Sequence, residues 1–212
     1  MLRRMKREYA LGMTRSNKDW KILDLGCGRD GIRSANVYAD IEDYKSFYPN
    51  NRFVQTEALN TPFKDKEFDF VFSLHIAEHV RDPLLFCQEL SRISKRGFIE
   101  DPTPFFDNLV VGNSNPPPHG HLWWVNFDDA KSELVFKPRL SIVEEMATPS
   151  DTTFLIPFFR DSMVLEIYWE DKVESRVEES YYTYDAGNSD APRVIDFKGK
   201  TIPKNIRKWR PR

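Results

Sequence analysis

The chain reads as an α/β protein built on a mostly parallel sheet, and three observations predict it. Short apolar or alternating runs recur at residues 21–25, 36–41, 52–56, 68–74 and 96–100, each bounded by Gly, Pro, Asn or charge, as short strands are. The first run passes into Asp24-Leu25-Gly26-Cys27-Gly28-Arg29-Asp30-Gly31, a glycine-rich turn at a strand end, where α/β sheets take nucleotide-like ligands. Between the fourth and fifth runs, Asp82-Pro83 opens a segment with Phe86, Leu90 and Ile93 at helical spacing, and Gly97 comes after it. Strand, helix, strand in that order implies a parallel crossover.

Taken in order, residues 2–12 read as a short basic amphipathic helix, with Leu2, Met5, Tyr9 and Met13 roughly on one side. After the first strand only ten residues, Gly26 to Ala35, precede the second. A parallel crossover needs a dozen or more, so the first helix is expected to be shortened or absent. Another segment must then cover that sheet face, and the N-terminal helix is the candidate. Asp82 is the N-cap of the next helix, with proline at its first position. From Pro102 to Phe127 the chain carries five prolines together with Asn and Gly, which predicts a long loop. Loops of this length in compact domains are functional or disordered, and Phe105, Phe106, Trp123, Trp124 and Phe127 argue for order. Asp128–Phe136 reads as a short helix. Val164–Trp169 and Val173–Val177, separated by Glu170-Asp171-Lys172, read as an antiparallel hairpin.

The 212 residues suit one domain: a basic N-terminal helix or linker (1–18), a ligand-binding core (19–102), and an acceptor-binding loop with C-terminal strands (103–212). A net charge of −2 argues against a dedicated nucleic-acid binder. The ends are basic: residues 1–18 carry six Lys or Arg against Glu8, and residues 198–212 carry seven and no acid. Such ends serve either as solvated tails or as contacts to an anionic partner. No apolar run of membrane-spanning length and no signal peptide is evident, so a cytoplasmic location is expected. Cys27 and Cys87 show no metal spacing, and a disulfide framework is not expected.

Alone, Gly26, Gly28 and Gly31 also spell a dinucleotide turn. The segments beyond it are more specific: Val37-Tyr38-Ala39-Asp40, then Glu57-Ala58-Leu59-Asn60-Thr61-Pro62-Phe63, Phe68-Asp69-Phe70-Val71, and Leu74-His75-Ile76-Ala77-Glu78-His79-Val80-Arg81-Asp82-Pro83. Over residues 21–102 this series resembles the class I S-adenosylmethionine (SAM)-dependent methyltransferases, in particular methyltransferase type 11. The resemblance implies a Rossmann-like sheet with SAM as cofactor. It implies a binding set of Asp24, Gly26, Cys27, Gly28, Asp40, Ile41, Glu57, Ala58, Leu74 and His75. Asp24 would order the turn or touch the ligand. Asp40 would accept from both ribose hydroxyls, with Glu42 as fallback. Glu57 would accept from the adenine amino group, and the Ala58 N–H would donate to the ring. Thr61 stands where the family has leucine, a change expected to cost packing and no chemistry.

All four histidines come after the fourth or fifth predicted strand, on the ligand edge of such a sheet. His75, Asp101 and His121 are the candidate catalytic residues, each able to take a proton from an acceptor. His79 matches a family position that is mostly structural. His119-Gly120-His121 offers two metal ligands or a polar loop, and no metal site is assigned. Trp123, Trp124, Phe105 and Phe106 would floor an acceptor pocket or pack in the core. The run Gly120-His121-Leu122-Trp123, with Leu134-Val135-Phe136-Lys137-Pro138, is similar to small methyltransferases that accompany glycosyltransferases in surface-polysaccharide synthesis. That branch implies O-methylation of a sugar hydroxyl on a glycan, such as a terminal rhamnose, and a glycosyltransferase domain in the same longer chain. Two alternatives stay open: C- or N-methylation of a small metabolite, and a catalytically weak interaction domain.

Overall fold

The computed structural model of the chain describes residues 1–107, 120–139, 156–178, 183–185 and 193–195. Seven strands form the main sheet: β1 (Leu2–Arg4), β2 (Ile22–Leu25), β3 (Val37–Asp40), β4 (Arg52–Gln55), β5 (Phe70–Leu74), β6 (Arg96–Pro102) and β9 (Val164–Glu170). Their order is β1-β9-β6-β5-β2-β3-β4. The pairs β2–β3, β3–β4, β2–β5 and β5–β6 are parallel; β9 runs antiparallel to both β6 and β1. From β2 the chain steps outward through β3 and β4, then returns to the other side of β2 as β5. That reversal opens a crevice at the C-terminal ends of β2 and β5.

The central strands are buried along nearly their whole length, as parallel strands covered on both faces must be. One face packs against α2 (Pro83–Ile93) through Phe86, Leu90 and Ile93. Asp82 caps this helix by accepting from the Leu85 N–H at 2.9 Å, with Pro83 at its first position. The other face is covered by α1 (Arg7–Ser16), whose Ala10 packs with Phe70, Phe72, Phe98 and Tyr168. The N-terminal helix therefore does the covering expected of it, although it begins later than residue 2. Leu2–Arg4 is instead an edge strand in register with Ile167–Trp169, which satisfies its backbone on the sheet.

The first crossover carries no helix. Side chains hold it in place. Tyr48 accepts from the Gly31 N–H at 2.9 Å and donates to the Gly28 carbonyl at 2.8 Å. Asp24 accepts from the Ile32 N–H at 2.6 Å, and the Tyr38 hydroxyl donates to the Ile32 carbonyl at 2.9 Å. Tyr38 and Tyr48 stack at 4.0 Å. A Cβ on Gly31 would lie 2.7 Å from Asp24 Oδ2 and 2.8 Å from both the Tyr38 ring and the Tyr48 hydroxyl, so only glycine fits there.

Two expectations for the C-terminal half are corrected. Residues 128–136 form no helix: Asp128 accepts from the N–H groups of Ala130 and Lys131, Ser132 takes a positive φ of 55°, and the resulting turn joins β7 (Trp123–Asp128) to β8 (Glu133–Pro138). Nor do Val164–Trp169 and Val173–Val177 form a hairpin. The first run is buried throughout, so as β9 it needs neighbours on both sides and inserts between β1 and β6. The second supplies β10 (Ser175–Val177), which pairs parallel to β8 in a separate three-stranded sheet. Further elements are a helical turn α3 (Pro104–Asp107), a helix α4 (Ile156–Met163) and a two-stranded pair of β11 (Thr183–Asp185) with β12 (Arg193–Ile195). Thr61 is no mere loss of packing: its N–H and hydroxyl both donate to Glu89 Oε1, at 2.8 and 2.6 Å, and Arg92 closes the network from the other side.

Candidate functional site

The crevice is lined on one side by the turn after β2. Gly26 and Gly28 both have positive φ, 78° and 55°, which glycine adopts without penalty. The N–H groups of Gly26 and Cys27 donate to the Ala39 carbonyl at 2.7 and 3.2 Å, and the Gly28 N–H donates to Asp40 Oδ2 at 2.9 Å. Asp40 Oδ1 accepts from the Glu42 N–H at 3.0 Å. Each oxygen keeps lone pairs for a further donor, so Asp40 can serve a diol while it ties the turn to β3. A Cβ on Gly28 would meet nothing within 4 Å; on Gly26 it would lie 2.0 Å from Ile76 Cδ1. The two glycines thus do different jobs. Gly28 leaves open space, the observation that fits a bound cofactor, whereas Gly26 admits the segment after β5.

The remaining expected cofactor residues ring the same edge. Asp24 is buried beneath the turn, and burial raises its pKa to about 6 against the opposing Ile32 hydrogen bond. Cys27 is buried, and burial pushes its thiol up to about 12, which leaves it protonated and unreactive. Ile41 is 59% exposed. Glu57 is half-exposed and meets Arg81 at 3.3 Å. Ala58 packs on the core, and Leu74 ends β5.

Opposite the turn lies a dense group of ionisable side chains. His75 adopts a positive φ of 57°, a conformation that costs a non-glycine residue about 1–3 kcal/mol. It is held there by its N–H donating to the Glu100 carbonyl at 2.7 Å. Its half-exposed ring stands 3.6 Å from Glu78 Oε1 and 3.5 Å from Glu100 Oε1. Desolvation opposes its charge, but the two carboxylates outweigh it and raise its pKa to about 9. Glu100 in turn receives Arg160 at 2.6 Å and Arg7 at 3.3 Å. Asp101 is fully buried, and its Oδ1 accepts from the Ala77 N–H at 3.2 Å. Burial and the Glu78 charge push its carboxyl well above the usual range; Glu78, whose charge burial also opposes, is held low by His75 and by the neighbouring Asp101 carboxyl.

His121 enters from the far side. The N–H groups of Leu122 and Trp123 both donate to the Glu78 carbonyl, at 2.7 and 3.2 Å, and Trp123 Nε1 donates to the Val80 carbonyl at 2.7 Å. These bonds staple residues 121–123 to the segment after β5 and set His121 edge-on to His79, with ring centroids 4.5 Å apart. His121 Nδ1 is in short contact with Asp107 Oδ1. Asp107 Oδ2 accepts from Trp124 Nε1 at 3.0 Å and from Arg139 at 2.5 Å. The structure thus brings together His75, Asp101 and His121, with His79 among them. His119 lies outside the described residues. Of the aromatics expected to floor a pocket, Trp123 packs edge-on to Phe136 and Phe106 is buried, while Phe105 is 60% exposed. Asp107, Glu78, Arg160 and Arg7 join the group without being among the residues the sequence points to. Glu78 is visible within Glu78-His79-Val80, but Asp107 sits in no motif, and Arg160 reaches Glu100 across 60 residues.

With this geometry in place, residues 23–99 match the methyltransferase domain family. Tocopherol O-methyltransferase, chloroplastic, of Arabidopsis thaliana is 30% identical over 96 residues, covering 36% of this chain and 28% of that protein. Norajmaline N-methyltransferase of Rauvolfia serpentina is 29% identical over 101 residues, covering 39% of this chain and 35% of that protein. Each match thus spans about a third of the relative. Among solved structures, the YcgJ protein from Bacillus subtilis is similar with a TM-score of 0.49 and 16% identity, over 78% of this chain and 99% of that one. Among the described residues no helix is long and apolar enough to cross a membrane.

Proposed function

We propose that this chain is a SAM-dependent methyltransferase that transfers a methyl group to a sugar hydroxyl of a glycan. One observation carries the reading: the Gly26–Gly28 turn, bonded to Asp40 and open above Gly28, abuts Ile76 in the segment that carries His75 and His79, with His121 packed on His79. The match of residues 23–99 to the methyltransferase domain supports it. SAM supplies a methyl group already activated on a sulfonium, so the protein contributes proximity, alignment and removal of one proton. Gly26, Cys27 and Gly28 would hold the sulfonium end, Asp40 the ribose hydroxyls, and Glu57 with the Ala58 N–H the adenine. Leu74 and His75 close the edge. The acceptor lies against His75 and His121, and the Nε2 lone pair of His121, oriented through Asp107, receives its proton. Asp101 is sealed from solvent and steadies Glu78 instead of acting as base.

The sugar acceptor rests on the run from Gly120 to Trp123 and its resemblance to glycan-associated enzymes. The same resemblance supports a glycosyltransferase domain in a longer chain. A second reading, methylation of a small metabolite, is favoured by the tocopherol and norajmaline relatives. Calorimetric titration with SAM and its demethylated product tests the first claim; no heat from either would leave an interaction domain. Labelled-methyl transfer to rhamnosylated acceptors tests the second, and transfer only to amines or phenols would replace the sugar.

A further inference from the structure

The geometry points to a divalent-cation site formed by Glu78, His79 and His121, with Asp107 and the Gly120 carbonyl orienting the two imidazoles. His79 Nδ1 lies 3.1 Å from the Gly120 carbonyl, which can only accept, so this nitrogen carries the hydrogen and Nε2 keeps its lone pair. His121 Nδ1 faces the Asp107 carboxylate in the same way, which again frees Nε2. Both Nε2 atoms then turn to one oxygen, Glu78 Oε1, at 3.9 and 4.0 Å. These distances are too long for hydrogen bonds. Two ligands each about 2.1 Å from a tetrahedral ion stand about 3.4 Å apart, so side-chain rotations of roughly half an ångström suffice. The three ligand atoms lie within 4.8 Å of one another, so the two imidazole nitrogens must also approach each other, by up to about 1.4 Å.

Glu78 supplies an independent observation. Its side chain is 1% exposed, and among the described residues neither of its oxygens closes a hydrogen bond, His75 Nδ1 coming no nearer than 3.6 Å. His75 lends positive charge on one side of Glu78, but between Oε1 and the two Nε2 lone pairs nothing positive stands among the described residues, and a buried carboxylate aimed at lone pairs repels them unless a cation sits between. Imidazoles tied through Nδ1 to a carboxylate and to a backbone carbonyl are what metal-binding histidines require of their surroundings. The donor set, two nitrogens and one carboxylate, suits a first-row cation such as Zn²⁺, Co²⁺ or Mn²⁺ and leaves a coordination position open. On the methyl-transfer reading, on which this use of the ion rests, that position takes the acceptor oxygen and lowers the pKa of its proton, which then passes to solvent because His121 Nε2 is a ligand and no longer the base.

The test is a titration of chelator-stripped protein with Co²⁺, monitored by visible absorption, and with Zn²⁺ by calorimetry. One equivalent is expected to bind. Glu78→Gln, His79→Ala and His121→Ala should each weaken binding at least tenfold. Asp107→Asn should weaken it about 10–100-fold while stoichiometry stays one to one. Circular dichroism identifies any variant that fails to fold, and Glu78→Gln, nearly isosteric, keeps the comparison available. No binding by the native chain, or equal affinity in folded Glu78→Gln, would overturn the site. SAM titrated into the same stripped protein separates the two readings. Cation without SAM keeps the site and removes the methyl-transfer role; SAM without cation removes the site and leaves His121 as the base.

Discussion

Asp40 joins local structure to ligand chemistry, because the carboxylate that fixes the Gly28 N–H also has lone pairs to spare. Asp40→Ala should lower SAM affinity at least tenfold by calorimetry, and unchanged affinity would move the ribose to Glu42. Gly26 is constrained twice, by φ and by Ile76. Gly26→Ala should destabilise by more than the roughly 1–2 kcal/mol of a left-handed alanine, and Ile76→Ala in the same chain should recover the excess but not the backbone cost. A double-mutant cycle in urea measures both. Asp24 makes a prediction in pH. Its folded pKa, about 6, lies above its usual 3.8, so the protonated form favours the fold. That contribution is complete below about pH 4 and lost as pH rises through about 6, a swing of about 3 kcal/mol at 1.36 kcal/mol per unit. Asn at this position does not titrate. The stability difference between native protein and Asp24→Asn should therefore shift by most of that amount in favour of Asn from pH 4 to pH 7; a flat difference would mean that Asp24 ionises freely.

The first crossover substitutes side-chain hydrogen bonds for a helix. Tyr48 bonds both Gly28 and Gly31, so Tyr48→Phe should cost about 1–3 kcal/mol and weaken SAM binding through the turn, although it touches no expected ligand atom. Asp82→Ala should cost only about 1 kcal/mol, the worth of one N-cap, and leave SAM affinity unaltered. The contrast, read by denaturation and calorimetry together, separates elements that shape the crevice from those that merely support it. Legibility in the sequence divides along a similar line. The five parallel strands and α2 are readable because their apolar runs and caps are local. The shortened crossover is readable from its residue count. The helix read over 128–136 fails because Ser132 and the Asp128 turn break it, and a period of 3.6 cannot show that. The hairpin fails because the neighbours of Val164–Glu170 are set by long-range pairing with Ile99 and Arg3, which no local pattern encodes. At the site, the histidines stand out by type, whereas Asp107 and Arg160 acquire meaning only once distant segments meet.

Across the whole molecule, β5 and β6 are covered on both faces while β4 lies half-exposed at an edge. Amide hydrogen exchange should be slowest in Val71–Ser73 and Phe98–Glu100 and faster by orders of magnitude in Arg52–Gln55. Equal protection would mean that the sheet opens only as one unit. β1 has an implication of another kind. Leu2 pairs with Trp169 and Arg4 with Ile167, so β1 completes its ladder only against a segment made well after it. At a ribosomal pace of about 5–20 residues per second, that partner is absent for roughly 10–30 s. During that interval α1 has little to hold it on the aromatic face it covers. A nascent chain would thus present Phe70, Phe72 and Phe98 to whatever chaperone is nearest before α1 settles to shield them.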